Sequence, residues 1–375
     1  MPSPASADSG TKKQDKKAGK AGAGVEATEQ KPVFAGLGEH LTQARISRKN
    51  IRQSVRRLLS QLEGEAAARR QGWFLPETSS LQAYENSLGK YRQDLASVMG
   101  WPLNLEGRPE TLNQVDEVFR TDQVIVERLR LQGVSGVEGA GILLRPNKVN
   151  ERFPLVILLH GGNCTPEGLM EKSATYHHAH ERLLGAGCAV FIPQLLSWPP
   201  EPDAPLKRGS LDATLKRYGS SLAAVEISNL LGFIDYFRRS ELIKPTAIGL
   251  AGFSYGAFLA LFAGALDPRV RVVACSGYLS ALGTYVLSEA GWSGFSYFFS
   301  DAEICAMLCP RPLYMELGSN DPVLKKNVAE IEAGKIMEWY QKIGKPSSFE
   351  FRVFEGGHEF LPLDNGINFI LNALR

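Results

Sequence analysis

From about residue 120 to the C-terminus, short apolar or alternating runs are separated by longer stretches whose apolar residues recur every third or fourth position. The first pattern has the two-residue period of strands, the second the 3.6-residue period of helices. On this basis residues 124–131 and 141–144 form an opening antiparallel pair, and 155–159, 189–193, 247–252, 270–275, 313–317 and 349–354 supply further strands. Helices are expected at 167–185, 220–240, 255–266, 325–343 and 365–374. Such alternation predicts an α/β fold, a mostly parallel, doubly wound sheet with helices on both faces and right-handed crossovers.

The first third reads differently. Residues 1–32 are rich in Ala, Gly, Lys, Ser and Asp and carry too little apolar surface to offset the entropy of ordering, so a disordered tail is expected. Residues 38–72 predict a long helix, with Leu41, Ile51, Val55, Leu58, Leu59 and Leu62 at spacings of three, four and seven. Arg45, Arg48, Lys49, Arg52, Arg56 and Arg57 cover much of its remaining face, which reads first as a solvated face and second as an anion or partner site. A second helix is expected over 80–99, capped by Ser79 or Ser80 and ended by Gly100. The division is therefore a tail at 1–32, a helical N-terminal extension at 33–117 and an α/β domain at 118–375. The extension could cover one edge of that domain, shape a site entrance, or join copies into a homo-oligomer.

Composition narrows the classes. A formal net charge of +2 asks for neither nucleic acid nor an anionic membrane. No apolar stretch has signal-peptide or transmembrane length, so a cytoplasmic protein is expected. Cys164, Cys188, Cys275, Cys305 and Cys309 are odd in number and lie mostly in apolar runs, which reads as free thiols rather than a disulfide framework. Cys305 and Cys309, one helical turn apart, lack zinc-ribbon spacing. His177 and His180 would share a face of the helix expected at 167–185, but no carboxylate-flanked zinc-protease pattern accompanies them. No metal and no cofactor are expected.

The chemistry gathers at three strand ends. The strand at 247–252 runs into Gly252-Phe253-Ser254-Tyr255-Gly256, where a sharp strand-to-helix turn would lift the serine hydroxyl into reach and leave no room for a Cβ on either flank. A serine is a poor nucleophile without an adjacent base, and the base needs an orienting acid. Downstream, one strand ends at Asp321-Pro322 and the next at Gly356-Gly357-His358, so Ser254, Asp321 and His358 follow in the order of a nucleophilic triad. Glu316, Glu355 and Asp301 are substitutes for the acid, although Glu316 is strand-embedded and Glu355 lies close to the histidine in sequence.

These motifs resemble those of the α/β-hydrolase superfamily, most of all its dienelactone hydrolase, acetylxylan esterase and prolyl oligopeptidase-like branch. The matching residues are Leu158-Leu159-His160-Gly161-Gly162-Asn163, the Gly252–Gly256 elbow, Cys309-Pro310-Arg311-Pro312, Gly318-Ser319-Asn320-Asp321 and Gly356-Gly357-His358, and the likeness covers about residues 120–375. Ala257 departs from the second glycine that many relatives carry, with no functional consequence expected. The resemblance implies a small-molecule ester substrate (a small or medium acyl ester, lactone or acetylated sugar) cleaved through an acyl-enzyme. It also implies an oxyanion hole from the N–H of Tyr255 and a second donor at Gly162 or Asn163, with His160 bracing that loop. A prolyl oligopeptidase-like peptidase is the alternative, weakened by the absence of propeller repeats and of an acidic amine-binding pair. A non-hydrolytic scaffold is the third reading. Two stretches should border the site: the proline-rich loop at 197–205, and 276–310, whose Tyr278, Tyr285, Trp292, Phe295, Tyr297, Phe298 and Phe299 could pack a core or wall a pocket equally well.

Overall fold

The computed structural model describes residues 42–103, 111–198, 207–279 and 288–375. The tail expected at 1–32, the start of the first helix at 38–41, residues 199–205 of the proline-rich loop and Tyr285 lie outside the described residues. The chain divides into two compact units, Met1–Leu59 and Ser60–Arg375. What is described of the first is the opening of helix α1 (Thr42–Trp73).

The second unit continues with α2 (Leu81–Met99), then β1 (Thr111–Arg120), β2 (Val124–Gln132), β3 (Glu138–Pro146) and β4 (Phe153–Leu159). Three short helices follow, α3 (Pro166–Glu171), α4 (Ser173–Tyr176) and α5 (Ala179–Gly185), before β5 (Ala189–Pro193). Next come α6 (Arg208–Arg217), α7 (Leu222–Arg239), β6 (Ile243–Phe253), α8 (Tyr255–Leu266) and β7 (Val272–Ser276). The chain ends through α9 (Asp301–Ala306), β8 (Leu313–Gly318), α10 (Lys326–Lys342), β9 (Phe349–Phe354) and α11 (Asp364–Leu374).

The described strands form one sheet in the order β1-β2-β3-β5-β4-β6-β7-β8-β9. Pairing is antiparallel from β1 to β5 and parallel from there to β9. Strand periodicity explains the unbroken apolar run of β4. Leu155, Ile157 and Leu159 enter one core with Phe191, Phe233, Phe237 and Phe258, while Val156 and Leu158 enter the other with Leu183, Val190, Ile192 and Ile370. A strand buried on both faces needs apolar residues at every position. From β4 the chain moves outward to β5 and returns on the other side of β4 as β6. That reversal opens a crevice at the C-terminal ends of β4 and β6.

Several elements differ from expectation. β1 has no counterpart among the predicted strands, because it is an edge strand whose Val115, Val118 and Phe119 are exposed and whose other residues are mostly polar, leaving little apolar alternation to read. The helix expected at 167–185 is three pieces, interrupted at Lys172 and at the left-handed residues His177 (φ 45°) and His178 (φ 52°). His177 and His180 therefore share no helix face, which removes the geometry behind the metal reading. The short helices α6 and α9 also lie outside the predicted elements.

The second expected helix is present as α2. Ser80 Oγ accepts from the Ala83 N–H at 3.1 Å, and Gly100 ends the helix at φ 90°, where an added Cβ would lie 2.2 Å from the Gly219 carbonyl oxygen. Its buried stripe, Tyr84, Leu88, Tyr91, Leu95 and Met99, packs on α7 and α8, and Arg92 donates to the carbonyls of Ala265 and Met307. Of the two readings of 276–310, core packing holds for Trp292 and Phe295, buried against Phe258 and Phe262, and for Phe299, buried against Phe295. The Trp292 indole donates to Ser221 Oγ at 3.1 Å. Among the described residues, no helix is long and apolar enough to cross a membrane.

If α2 is part of this core, Leu88→Ala should lower the unfolding free energy by about 2–5 kcal/mol, because Leu88 is fully buried and its cavity would be held open by α7 and α8. The urea denaturation midpoint measures this, and an unchanged midpoint would show α2 to be detachable.

Candidate active site

At the end of β6 the chain passes through Ser254 at φ 52°, ψ −116° and enters α8 at Tyr255. A non-glycine residue there is strained, by roughly 1–3 kcal/mol, and must be held by its surroundings. Two close approaches do so. A Cβ on Gly256 would lie 2.2 Å from the Leu159 carbonyl oxygen and 2.5 Å from that of His160, so α8 meets the end of β4 backbone to backbone. A Cβ on Gly252 would lie 2.2 Å from the Gly256 carbonyl oxygen. The Ser254 N–H donates to the Ser276 carbonyl at 2.9 Å, tying the elbow to β7.

Asp321 lies just beyond β8, and both its oxygens are engaged. Oδ1 accepts from the N–H groups of Val323 and Leu324 at 2.8 and 3.0 Å; Oδ2 faces His358 Nδ1 at 2.6 Å. Burial opposes its ionisation, but the hydrogen bonds from His358, Leu324 and Val323 prevail and hold the carboxyl below its ordinary value. The His358 ring packs against Phe253, centroid to centroid 4.6 Å, and against Gly277, where a Cβ would lie 2.8 Å from His358 Cε1. The imidazole thus borders the elbow on one side and Asp321 on the other. Among the described residues Ser254 Oγ makes no hydrogen bond, so the link to His358 Nε2 is open in this conformation.

The other carboxylates have separate partners. Glu316 is buried on β8 and accepts from Ser276 Oγ (2.7 Å), Tyr314 Oη (2.9 Å) and the Leu361 N–H (2.9 Å), so it clasps the loop that carries His358 without touching the imidazole. Burial pushes its carboxyl up despite these donors. Asp301 accepts from Tyr278 Oη at 2.9 Å, and Glu355 is exposed. Glu359 reinforces the same loop, accepting from the Gly357 N–H at 2.8 Å and pairing with His177 Nε2 at 2.7 Å.

The turn after β4 also borders Phe253, whose ring would lie 3.0 Å from a Cβ on Gly161. The Gly161 N–H donates to Tyr176 Oη at 3.0 Å and is thereby occupied. Among the described residues no hydrogen bond engages the N–H groups of Gly162, Asn163 (φ 56°) or Tyr255. His160 is fully buried, with Nδ1 2.8 Å from the Gly161 carbonyl oxygen and Nε2 accepting from the Leu195 N–H at 3.4 Å. Burial pushes this imidazole down to about 4, so at neutral pH it is uncharged and Nδ1 carries the proton that Gly161 accepts.

A further group was missed from the sequence. Arg208 is buried, makes two hydrogen bonds of 3.1 Å to Glu226 and one of 2.9 Å to Glu289, and donates to the Leu196 carbonyl. Glu226 also accepts from Tyr255 Oη at 2.6 Å and the Leu196 N–H at 2.9 Å. The guanidinium lies 4.6 Å from the ring centres of Trp198 and Tyr255, and the Trp198 ring would be 3.4 Å from a Cβ on Gly162. Burial disfavours the Arg208 charge, but the two carboxylates hold it protonated more firmly than usual. One signal was available: Glu226 is the lone charge in the otherwise uncharged run 222–234.

His160 gives a pH test. In the unfolded chain its imidazole returns to 6.5, so between that value and about 4 the unfolded state binds a proton that the folded state does not. The His160 contribution should be complete above pH 6.5 and fall as pH drops toward 4, by roughly 3 kcal/mol at the limit. Urea denaturation across this window should show the loss in the parent chain and a flatter slope in His160→Gln.

Comparison with known proteins agrees with this fold. Residues 156–333 match the model of the alpha/beta hydrolase family. YtaP of Bacillus subtilis (strain 168), whose name assigns it provisionally to the hydrolases, is 25% identical over 159 residues, which make up 38% of this chain and 52% of YtaP. The match thus spans about half the length of that relative. A Bacteroides fragilis NCTC 9343 protein provisionally named an acetyl xylan esterase superposes with a TM-score of 0.58 at 13% identity, covering 72% of this chain and 76% of its own. A glucuronoyl esterase from Solibacter usitatus superposes with a TM-score of 0.57 at 13% identity, covering 80% and 97%. With the strand order, the strained serine between β6 and α8 and the match over residues 156–333 in agreement, the chain has the α/β-hydrolase fold.

Proposed function

We propose that this protein is a serine esterase in which Ser254, His358 and Asp321 act as the triad. One observation carries the reading: a serine turned out on a strained elbow, with an Asp321-bound imidazole packed against the residue before it. Asp321 holds His358 Nδ1, leaving Nε2 to take the Ser254 proton as Oγ attacks an ester carbonyl. The oxyanion that forms is received by the Tyr255 N–H and by Gly162 or Asn163, whose N–H groups are uncommitted while that of Gly161 is not. Collapse expels the alcohol, protonated by His358, and leaves an acyl group on Ser254. Water, deprotonated by the same imidazole, then releases the acid and restores the serine.

The substrate class proposed is an ester. It comprises small or medium acyl esters, lactones and acetylated sugars, and structural neighbours named acetyl xylan esterase and glucuronoyl esterase support the carbohydrate end of that range.

A fluorophosphonate probe should label the purified chain at Ser254, and p-nitrophenyl acetate should turn over while aminoacyl-proline amides do not. Ser254→Ala should lose both labelling and turnover, kcat falling by about 10⁴-fold or more. Asp321→Asn should keep the fold and lower kcat by roughly 10²–10⁴-fold through the wrong imidazole tautomer. Full turnover in Ser254→Ala would overturn the assignment.

A further inference from the structure

The charge of this chain is near balance as a whole, but not along α1. Between Thr42 and Leu59 stand Arg45, Arg48, Lys49, Arg52, Arg56 and Arg57 and no acidic residue. The same stretch carries large apolar side chains that are open to solvent: Ile51 is 62% exposed, Val55 49%, Leu58 52% and Leu59 53%. At about 100° per residue these four fall within an arc of roughly 100° on the helix, which also takes in Arg48, and Arg52, Arg45, Arg56 and Lys49 occupy the sector on one side of it. Apolar side chains grouped on one side of a helix, bordered by cations, call for an occupant that is apolar beneath and anionic above.

A second copy of the chain does not meet that description. The apolar seam is closed by Arg48 seven residues before Val55 and by Glu65 seven residues after Leu58, too short for a stable coiled coil. A parallel, in-register partner would also bring Arg45 and Arg52 against their own copies, with no acid between residues 42 and 59 to relieve them. Nucleic acid would satisfy the cations and leave the apolar arc in water. Nor does the helix span a bilayer. We infer that the first turns of α1 dock this protein on an anionic lipid surface, the helix lying in the interface with Ile51, Val55, Leu58 and Leu59 among the acyl chains and the flanking arginines at the phosphates. This departs from the expectation of no membrane partner, which rested on the summed charge of the whole chain. It is independent of the esterase reading.

Flotation of the full chain with vesicles tests it. Binding to vesicles of phosphatidylcholine mixed with phosphatidylglycerol should exceed binding to pure phosphatidylcholine by roughly tenfold or more and weaken at high salt. The exposed double substitution Ile51→Asp with Leu58→Asp, and separately the triple Arg45→Glu, Arg52→Glu, Arg56→Glu, should each reduce flotation by roughly tenfold or more while the thermal melting of the chain stays unchanged. Three results would overturn the inference: no flotation with anionic vesicles, equal flotation with neutral ones, or flotation indifferent to both sets of substitutions. So would a dimer in sedimentation equilibrium that Leu58→Asp dissociates, in a chain that binds no vesicle.

Discussion

The N-terminus of α8 is pressed onto the carbonyl edge of β4, and everything at the site depends on that backbone-to-backbone contact. Any side chain at residue 256 would collide with the carbonyls of Leu159 and His160, and any at residue 252 with that of Gly256. Because the helix comes so close, the residue between strand and helix has to turn through a positive-φ conformation, and Ser254 takes it. The same contact sets the first turn of α8 beside the turn after β4. The N–H groups of Tyr255, Gly162 and Asn163, on those two segments, have no hydrogen-bond partner among the described residues. The strain is tolerated because the surrounding strands are buried on both faces and leave the elbow no room to relax.

Two buried carboxylates then fix what the sheet alone would leave loose. Glu316 binds the Leu361 backbone, Ser276 and Tyr314, holding the His358 loop to β7 and β8. Glu226 binds Tyr255, Leu196 and Arg208, holding the residue after the serine to α7 and to the segment after β5. One network holds the His358 loop and the other the residue after Ser254, and neither carboxylate is hydrogen-bonded to the imidazole. Such groups are stable inside a protein only when every lone pair has a donor, and here most donors come from the segments that must be held still. His160 works in the same way without charge, since its neutral ring bridges the Gly161 carbonyl and the Leu195 N–H.

Much of this architecture is legible in the pattern of residues, and the physical causes differ from element to element. β5 begins and ends where the apolar run places it, because a strand buried on both faces has no freedom to be polar. β9 does so because Phe349, Phe351 and Val353 alternate with Glu350 and Arg352, the period of a strand with one face turned to the core. Ser254, Asp321 and His358 stand out because the turns that carry them require glycines or a proline that local sequence displays. The exposed edge strand β1 and the interrupted helix at 167–185 are not legible, since one lacks an apolar face and the other breaks at His177 and His178, where nothing in the residue types forbids a helix. Arg208 is hidden for a related reason: it lies in a polar segment, and its partners are Glu226, eighteen residues on, and Glu289, eighty-one residues on.

By itself, then, the order of residues determined the alternating α/β architecture, the elbow serine and its two downstream companions, since each follows from periodicity or from turns with strict local demands. Which carboxylate faces His358, which N–H groups stay uncommitted, and that Arg208 and Glu226 join Tyr255 to the segment after β5 were decided only in three dimensions. Hydrogen bonds between distant segments have no period and no spacing, so they become definite only when packing has brought their partners within reach.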